Sequence, residues 1–129
     1  MASTATVQAQ QEEELVNEHA IERLRASKTQ AEERLYNEGE LAGVEYALQH
    51  AEYLELERLV ANCQDVFRGG LNRFTIQSLA HVMTGERELA EDTVDFLQEK
   101  FGYDIHQPKW MEGFVAGAVS KFCEFRAQI

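Results

Sequence analysis

Apolar residues along this chain recur at spacings of three and four positions, which is the period of one face of an α-helix. No segment alternates polar and apolar residues for long enough to predict a strand, and the nearest cases, 74–76 and 103–105, are too short. The pattern therefore predicts an all-α fold, a compact bundle of five to six helices.

The predicted helices end at residues that commonly stop helices. We expect helices at about 30–49, 53–66, 75–84, 86–101 and 108–127. We expect helices to end at Gly69–Gly70 and at Gly102. We expect the last helix to begin at Pro108, because proline fits the first turn of a helix. Residues 12–49 are rich in helix-forming residues, with one polar interruption at 26–29. Either a helix ends there and Ser27 or Thr29 caps the next one, or a single long helix runs through.

The chain is predicted to consist of an arm and one domain. Residues 1–11 are rich in Ala, Ser, Thr and Gln, so we expect a disordered N-terminal arm there. Residues 12–129 are predicted to form a single helical domain, because the length is typical of one domain.

The last predicted helix has the widest apolar face, which covers about half of its circumference. Trp110, Phe114, Ala118 and Phe122 form one row on it, and Met111, Val115, Val119 and Cys123 form the adjacent row. We therefore place this helix at the centre of the bundle. The apolar faces of the other helices are predicted to contain Leu35, Ala42, Gly43, Tyr46, Ala47, His50, Tyr53, Leu56, Val60, Cys63, Phe67, Ile76, Leu79, Ala80, Met83, Leu89, Val94, Phe96, Leu97 and Phe101. Glu52, Glu55, Glu57 and Arg58 are expected outside.

Two of the helices each carry a pair of glycines four positions apart, Gly39 with Gly43 and Gly113 with Gly117. An interior glycine costs about 1 kcal/mol relative to alanine in a helix, and a close approach of two packed helices would offset this cost. The segments around the two pairs are also similar. We therefore predict that the two helices cross at their glycines; the alternative is that the small residues leave a groove for a ligand.

The chain is acidic, and the acidity is concentrated in its first half. The 12 Lys and Arg residues and 23 Asp and Glu residues give a net charge of −11. Residues 1–65 contain 14 acidic and 5 basic residues, whereas residues 66–129 contain 9 and 7. Nucleic-acid binding requires a basic face, so no nucleic acid is expected as a partner. The distribution is typical either of a solvated surface or of one that docks on a basic protein.

We predict a non-enzymatic protein–protein interaction module, an adaptor or an inhibitor, that uses this acidic helical surface. The candidate partner-binding residues are Glu12, Glu13, Glu14, Glu18, Glu22, Glu32 and Glu33. One alternative is a ligand-binding or enzymatic bundle with a pocket between the glycine-containing helices, near Gly43, Tyr46, Gly117 and His81. Another is a structural protein that self-assembles through its first helix.

Patterns of catalytic or metal-binding residues do not appear in the sequence. No histidine follows a glutamate by three positions, as a di-iron bundle requires, and no zinc-type His or Cys cluster occurs. We therefore predict no catalytic residue, no metal and no cofactor. Cys63 and Cys123 lie among apolar residues, which favours buried free thiols over a disulfide.

Four further polar residues, two histidines and two arginines, have specific expected roles. His50 is expected near the end of a helix, where a positive imidazole favours the helix dipole, and His81 is expected to be half-buried. Arg68 and Arg73 flank the Gly69–Gly70 turn and form a possible anion-binding site, because two guanidinium groups could hold a phosphate or carboxylate. The alternative is a plain turn between helices.

Several of these segments resemble a group of short, acidic, all-helical bacterial proteins. The resemblance is carried by Gly39-x3-Gly43-x2-Tyr46-Ala47, Ala51-x-Tyr53-x2-Leu56-x2-Leu59 and Gly113-Phe114-Val115-x-Gly117-Ala118. It implies a helical cytoplasmic protein without an assigned activity. Cytoplasmic localisation and no membrane partner are also expected because the sequence has no membrane-length apolar stretch and no signal-peptide pattern at its start.

Overall fold

The computed structural model describes residues 4–68 and 74–129, with side chains for 7–62 and 74–129. Five α-helices and no strand lie in these ranges, and the predicted all-α bundle is confirmed. The helices are α1 (Thr4–Gln49), α2 (Tyr53–Arg68), α3 (Ile76–Thr84), α4 (Arg87–Phe101) and α5 (Pro108–Phe125). A short 3-10 helix, Tyr103–His106, lies between α4 and α5, and a second one, Arg126–Gln128, follows α5.

The first helix, α1, continues without a break through the polar segment 26–29. The Thr29 hydroxyl donates a hydrogen bond to the Arg25 carbonyl oxygen at 3.1 Å, so it does not cap a second helix. The helix also includes Thr4–Gln11, where the sequence predicted a disordered arm. Ala and Gln are good helix formers, which allows this segment to extend an existing helix.

Contacts divide the chain into two units, one ending at Glu32 and the other beginning at Glu33. The boundary predicted from sequence lay between residues 11 and 12. In the first unit, every side chain from Val7 to Ala31 is exposed except that of Ala20, which is half-buried. Residues 7–31 therefore form a helical segment without a core of its own.

The core of the second unit surrounds α5, as the width of its apolar face predicted. Its buried residues are Trp110, Met111, Gly113, Phe114, Val115, Gly117, Ala118 and Phe122. The rings of Trp110 and Phe114 stack with their centroids 5.2 Å apart, and Tyr46 of α1 packs on Phe114 at 5.5 Å. The predicted row of α3, Ile76, Leu79, Ala80 and Met83, is completely buried.

Some residues predicted on buried faces are exposed instead, namely His50, Tyr53, Leu89, Phe96 and Cys123. The prediction that Cys123 is a buried thiol is therefore wrong, although the thiol is free. The side chain of Cys63 lies outside the described residues. The error has one physical source: helical spacing shows which side of a helix is apolar, but not how much of that side its neighbours cover.

The glycines of α1 lie directly against the backbone of α5. A Cβ atom built on Gly39 would overlap the carbonyl group of Trp110, whose carbon atom lies 2.9 Å away. A Cβ atom on Gly43 would overlap the carbonyl group of Phe114 and lie 2.8 Å from the Ala118 nitrogen. No side chain, however small, fits at either position without movement of the helices.

The glycines of α5 make the reciprocal contacts. A Cβ atom on Gly113 would overlap the carbonyl group of Tyr36, and one on Gly117 would overlap that of Glu40. The contacts advance in the same direction along both helices, so α1 and α5 run parallel where they cross. The facing carbonyl groups fill the space at Gly117, and they leave no room for the groove considered as an alternative.

Alanine at Gly43 or at Gly117 is expected to destabilise the protein. Helix propensity alone would favour alanine by about 1 kcal/mol. The added methyl group must separate α1 from α5, so we expect a net loss of about 1–3 kcal/mol from overpacking. Urea denaturation of Gly43→Ala and Gly117→Ala measures the change. The control is Ser120→Ala at an exposed position of α5, expected within about 0.5 kcal/mol of wild type; a gain in stability at either glycine would contradict the crossing.

Candidate functional site

The seven candidate glutamates all lie on α1, and all are exposed except Glu32, which is half-buried and 3.7 Å from the Lys28 ammonium. Glu14, Glu18 and Glu22 are spaced by four residues and therefore form one stripe along the helix. Residues 1–22 contain five glutamates and neither Lys nor Arg. The structure does not bring all seven together: Glu12 and Glu13 lie on other sides of α1, since successive residues are rotated by about 100°, and Glu33 begins the second unit.

Large apolar side chains are exposed on the same part of α1. They are Val7, Leu15, Val16, Ile21 and Leu24, each at least 50% exposed. Leu15 and Ile21 each lie three residues from Glu18, one before it and one after it, so they flank the glutamate stripe on its two sides. The acidic surface of the first unit is therefore bordered by apolar side chains.

In the second unit, Glu55 joins the end of α1 to the start of α2. One of its carboxyl oxygens accepts a hydrogen bond from the Tyr46 hydroxyl at 2.7 Å. The other accepts one from the backbone N–H of Glu52 at 3.0 Å, immediately before α2 begins. This second bond is one half of a capping box, in which a Glu three residues into a helix reaches back to its start. The spacing of Glu52 and Glu55 contained this signal. Glu52 is exposed, as predicted, whereas Glu55, also predicted outside, is half-buried.

The Tyr46 phenol is held in its neutral form. Burial raises its pKa far above the usual range, and the hydrogen bond from the phenol to Glu55 and the charge of Glu55 raise it further. A phenol that keeps its proton remains the donor in the pair, so the contact between the two helices persists over a wide range of pH.

Arg58 reaches from α2 to the end of α3, although the sequence pattern placed it outside. Its Nη1 atom donates hydrogen bonds to the carbonyl oxygens of Met83 and Thr84 at 3.1 and 3.0 Å. The last carbonyl groups of a helix have no partner within the helix, and a positive charge is favourable there. Gly85, with a φ of 73°, ends α3 beside the guanidinium group.

A cleft of about 490 Å³ lies beside these interactions and is lined by residues from the end of α1 to α4. Its exposed apolar residues, here called the apolar wall, are Leu54, Leu89 and Phe96. Three of its acidic residues, here called the acidic wall, are Glu52, Glu86 and Asp92. The arrangement offers a concave surface on which apolar and negatively charged groups face the same space.

The histidines and arginines singled out from sequence have separate positions. His50 follows the last residue of α1, as predicted, and its ring meets that of Phe96 edge-on at 5.0 Å. His81 is exposed rather than half-buried, and it lines a different cleft with Ser78 and Arg87. Tyr46 and His81 line different clefts. The side chain of Arg68 and all of Arg73 lie outside the described residues, so the predicted anion-binding site does too.

Neither a metal-binding cluster nor a membrane-spanning helix lies within the described residues. Within residues 4–68 and 74–129, no group of three His, Cys, Asp or Glu side chains is placed to hold a metal ion. None of the helices described has a stretch of sufficient length and hydropathy to cross a bilayer.

Comparison with known proteins gives no relative from which a function could be transferred. No protein-family model, curated protein or solved structure matches this chain. The resemblance to acidic bacterial proteins therefore stays a prediction, and function has to be argued from the residues and their geometry.

Removal of the Tyr46 hydroxyl is expected to lower stability at neutral pH and to weaken its alkaline decline. Tyr46→Phe loses the hydrogen bond to Glu55, at a cost of about 1–2 kcal/mol. The pKa of Tyr46 is higher in the folded than in the unfolded chain, where tyrosine ionises near pH 10. The wild type therefore loses stability as the pH rises above about 10, and the variant lacks this contribution.

Urea denaturation at about pH 8 and about pH 11, on either side of the unfolded pKa of tyrosine, measures both effects. Tyr103→Phe is the matched control, because Tyr103 is 77% exposed. An equal loss of stability between the two pH values in wild type and Tyr46→Phe would show that the phenol ionises as readily in the folded chain as in the unfolded one.

Proposed function

We propose that this protein is a non-enzymatic interaction module that docks the N-terminal part of α1 on a basic protein. The observation that carries the proposal is the contrast within residues 7–31, which have a helical backbone but almost no buried side chain. Most helices of globular proteins are stabilised by the burial of one face. A second protein would supply the surface that this segment lacks.

The glutamate stripe supports a basic partner. Glu14, Glu18 and Glu22 are like charges at spacings of four, each pair of which destabilises a helix by about 0.2–0.5 kcal/mol. Within residues 7–22 there is no Lys or Arg to compensate. Lysine or arginine side chains of a partner would convert this repulsion into attraction and would raise the rate of association.

The apolar residues beside the stripe define the rest of the partner's surface. Ile21 and Leu24 are three residues apart, and Leu15 lies on the other side of the stripe, so an apolar groove could accept them as anchors while basic residues at its rim contact the glutamates. Helices docked in grooves use anchors at such spacings. With such a partner, this protein would act as an adaptor or as an inhibitor of a basic enzyme.

Charge reversal of the stripe is expected to abolish docking and to leave the second unit folded. Wild type and the triple variant Glu14→Lys, Glu18→Lys, Glu22→Lys are immobilised, and proteins captured from source cells are quantified by mass spectrometry. The matched control is Glu88→Lys, Asp95→Lys, Glu99→Lys, which makes the same change in net charge at exposed positions of α4. We expect a basic protein, released by salt, to be about tenfold depleted on the stripe variant alone.

Two outcomes would contradict the proposal. Capture of the same proteins by all three baits would exclude the stripe as a docking surface, and equal losses with both variants would indicate a non-specific effect of net charge. Analytical ultracentrifugation covers the alternative of self-assembly: a dimer that forms with rising concentration, and that the stripe variant alters but the control does not, would assign α1 to self-association instead.

A further inference from the structure

The cleft beside Tyr46 lies in the second unit and contains none of the residues of the proposed docking surface. Leu54, Leu89 and Phe96 of its apolar wall are 54, 48 and 37% exposed. Single exposed apolar residues are common on protein surfaces and need no explanation. These three, however, come from two helices and converge on one concave space, which is the usual setting of a ligand.

The size and rigidity of the cleft also fit a small molecule. Its volume of about 490 Å³ falls within the range of about 300–1,000 Å³ that is typical of ligand pockets. The hydrogen bond from Tyr46 to Glu55 joins α1 to α2 beside the cleft, and those from Arg58 join α2 to the end of α3. A ligand would therefore enter a preformed site, with little ordering of the protein on binding.

The polar part of the cleft is negatively charged. None of Glu52, Glu86 and Asp92 in the acidic wall takes part in an ion pair among the residues that the structure describes. Arg58 is the one Lys or Arg among the described lining residues, and its guanidinium group already binds two carbonyl oxygens. The cleft thus offers free carboxylates and little competing positive charge.

Aromatic rings also line the cleft: Tyr46 is buried, and Phe96 is 37% exposed. The Tyr46 and Phe96 rings lie with centroids 6.3 Å apart, and His50 packs edge-on against Phe96. The face of an aromatic ring attracts a cation within about 6 Å of its centre. The aromatic rings and the carboxylates therefore both favour a positively charged ligand.

We propose that this cleft binds an organic amine, that is, an ammonium group carried on a small apolar body. The ammonium group would lie at the acidic wall, and the apolar body would lie against the apolar wall. An anion would be repelled by the carboxylates, and a neutral ligand would desolvate them without compensation. A bare metal ion fits less well, because the described residues contain no group of three suitable ligands.

The test uses the full chain and a matched pair of probes, phenethylamine and its neutral analogue 2-phenylethanol. Titration is followed by two-dimensional amide NMR, which reports both affinity and location. We expect saturable shifts at His50, Leu89 and Phe96 with the amine, and binding of the alcohol that is about tenfold or more weaker because it lacks the charge. Equal affinities for the two probes, or no saturable shift in the cleft with the amine, would overturn the proposal.

A pair of α4 variants separates the cleft from the general acidity of the chain. Asp92→Asn removes a charge from the acidic wall, and Asp95→Asn removes one from an exposed position of α4 that does not line the cleft. We expect Asp92→Asn to weaken amine binding by roughly fivefold, the effect of removing one charge about 4 Å from the ammonium group in a water-like medium. We expect Asp95→Asn to leave the affinity unchanged. Equal effects of the two variants would also overturn the proposal, and their amide spectra report whether each remains folded.

Discussion

The direct contact between the backbones of α1 and α5 is the constraint on which the rest of the second unit depends. Four glycines allow each helix to place carbonyl groups where a side chain would otherwise stand. The crossing brings Tyr46 of α1 onto Phe114 in the centre of the core. In this position the last part of α1 contacts α2 through the hydrogen bond from Tyr46 to Glu55, and both residues line the cleft.

The same contact explains how one helix can have two very different parts. Starting a helix is costly, whereas adding residues to an existing turn is much less so. The packed residues after Glu33 provide such a start, and the Ala-, Gln- and Glu-rich segment before it can propagate the helix without a core of its own. The exposed part of α1 contains the Glu14–Glu22 stripe and its flanking apolar residues.

The cleft lies beside hydrogen bonds at the ends of helices rather than within the packed core. Glu55 caps the start of α2, and Arg58 satisfies the last carbonyl oxygens of α3. Both contacts place polar groups between helices. Leu89 and Phe96 are exposed, and these two residues, which the sequence pattern assigned to the core, line the cleft instead.

The sequence by itself determined the all-α fold, the main helix boundaries outside α1, the buried row of α3 and the central position of α5, because these follow from local periodicity and helix-ending residues. It also indicated the glycine pairs, since a residue that weakens a helix needs a compensating contact. Only the tertiary structure decided that Glu55 and Arg58 bridge helices and that His81, Phe96 and Cys123 are exposed. Periodicity shows which side of a helix is apolar, but burial and hydrogen-bond partners depend on where the neighbouring helices lie, and no local pattern contains that information.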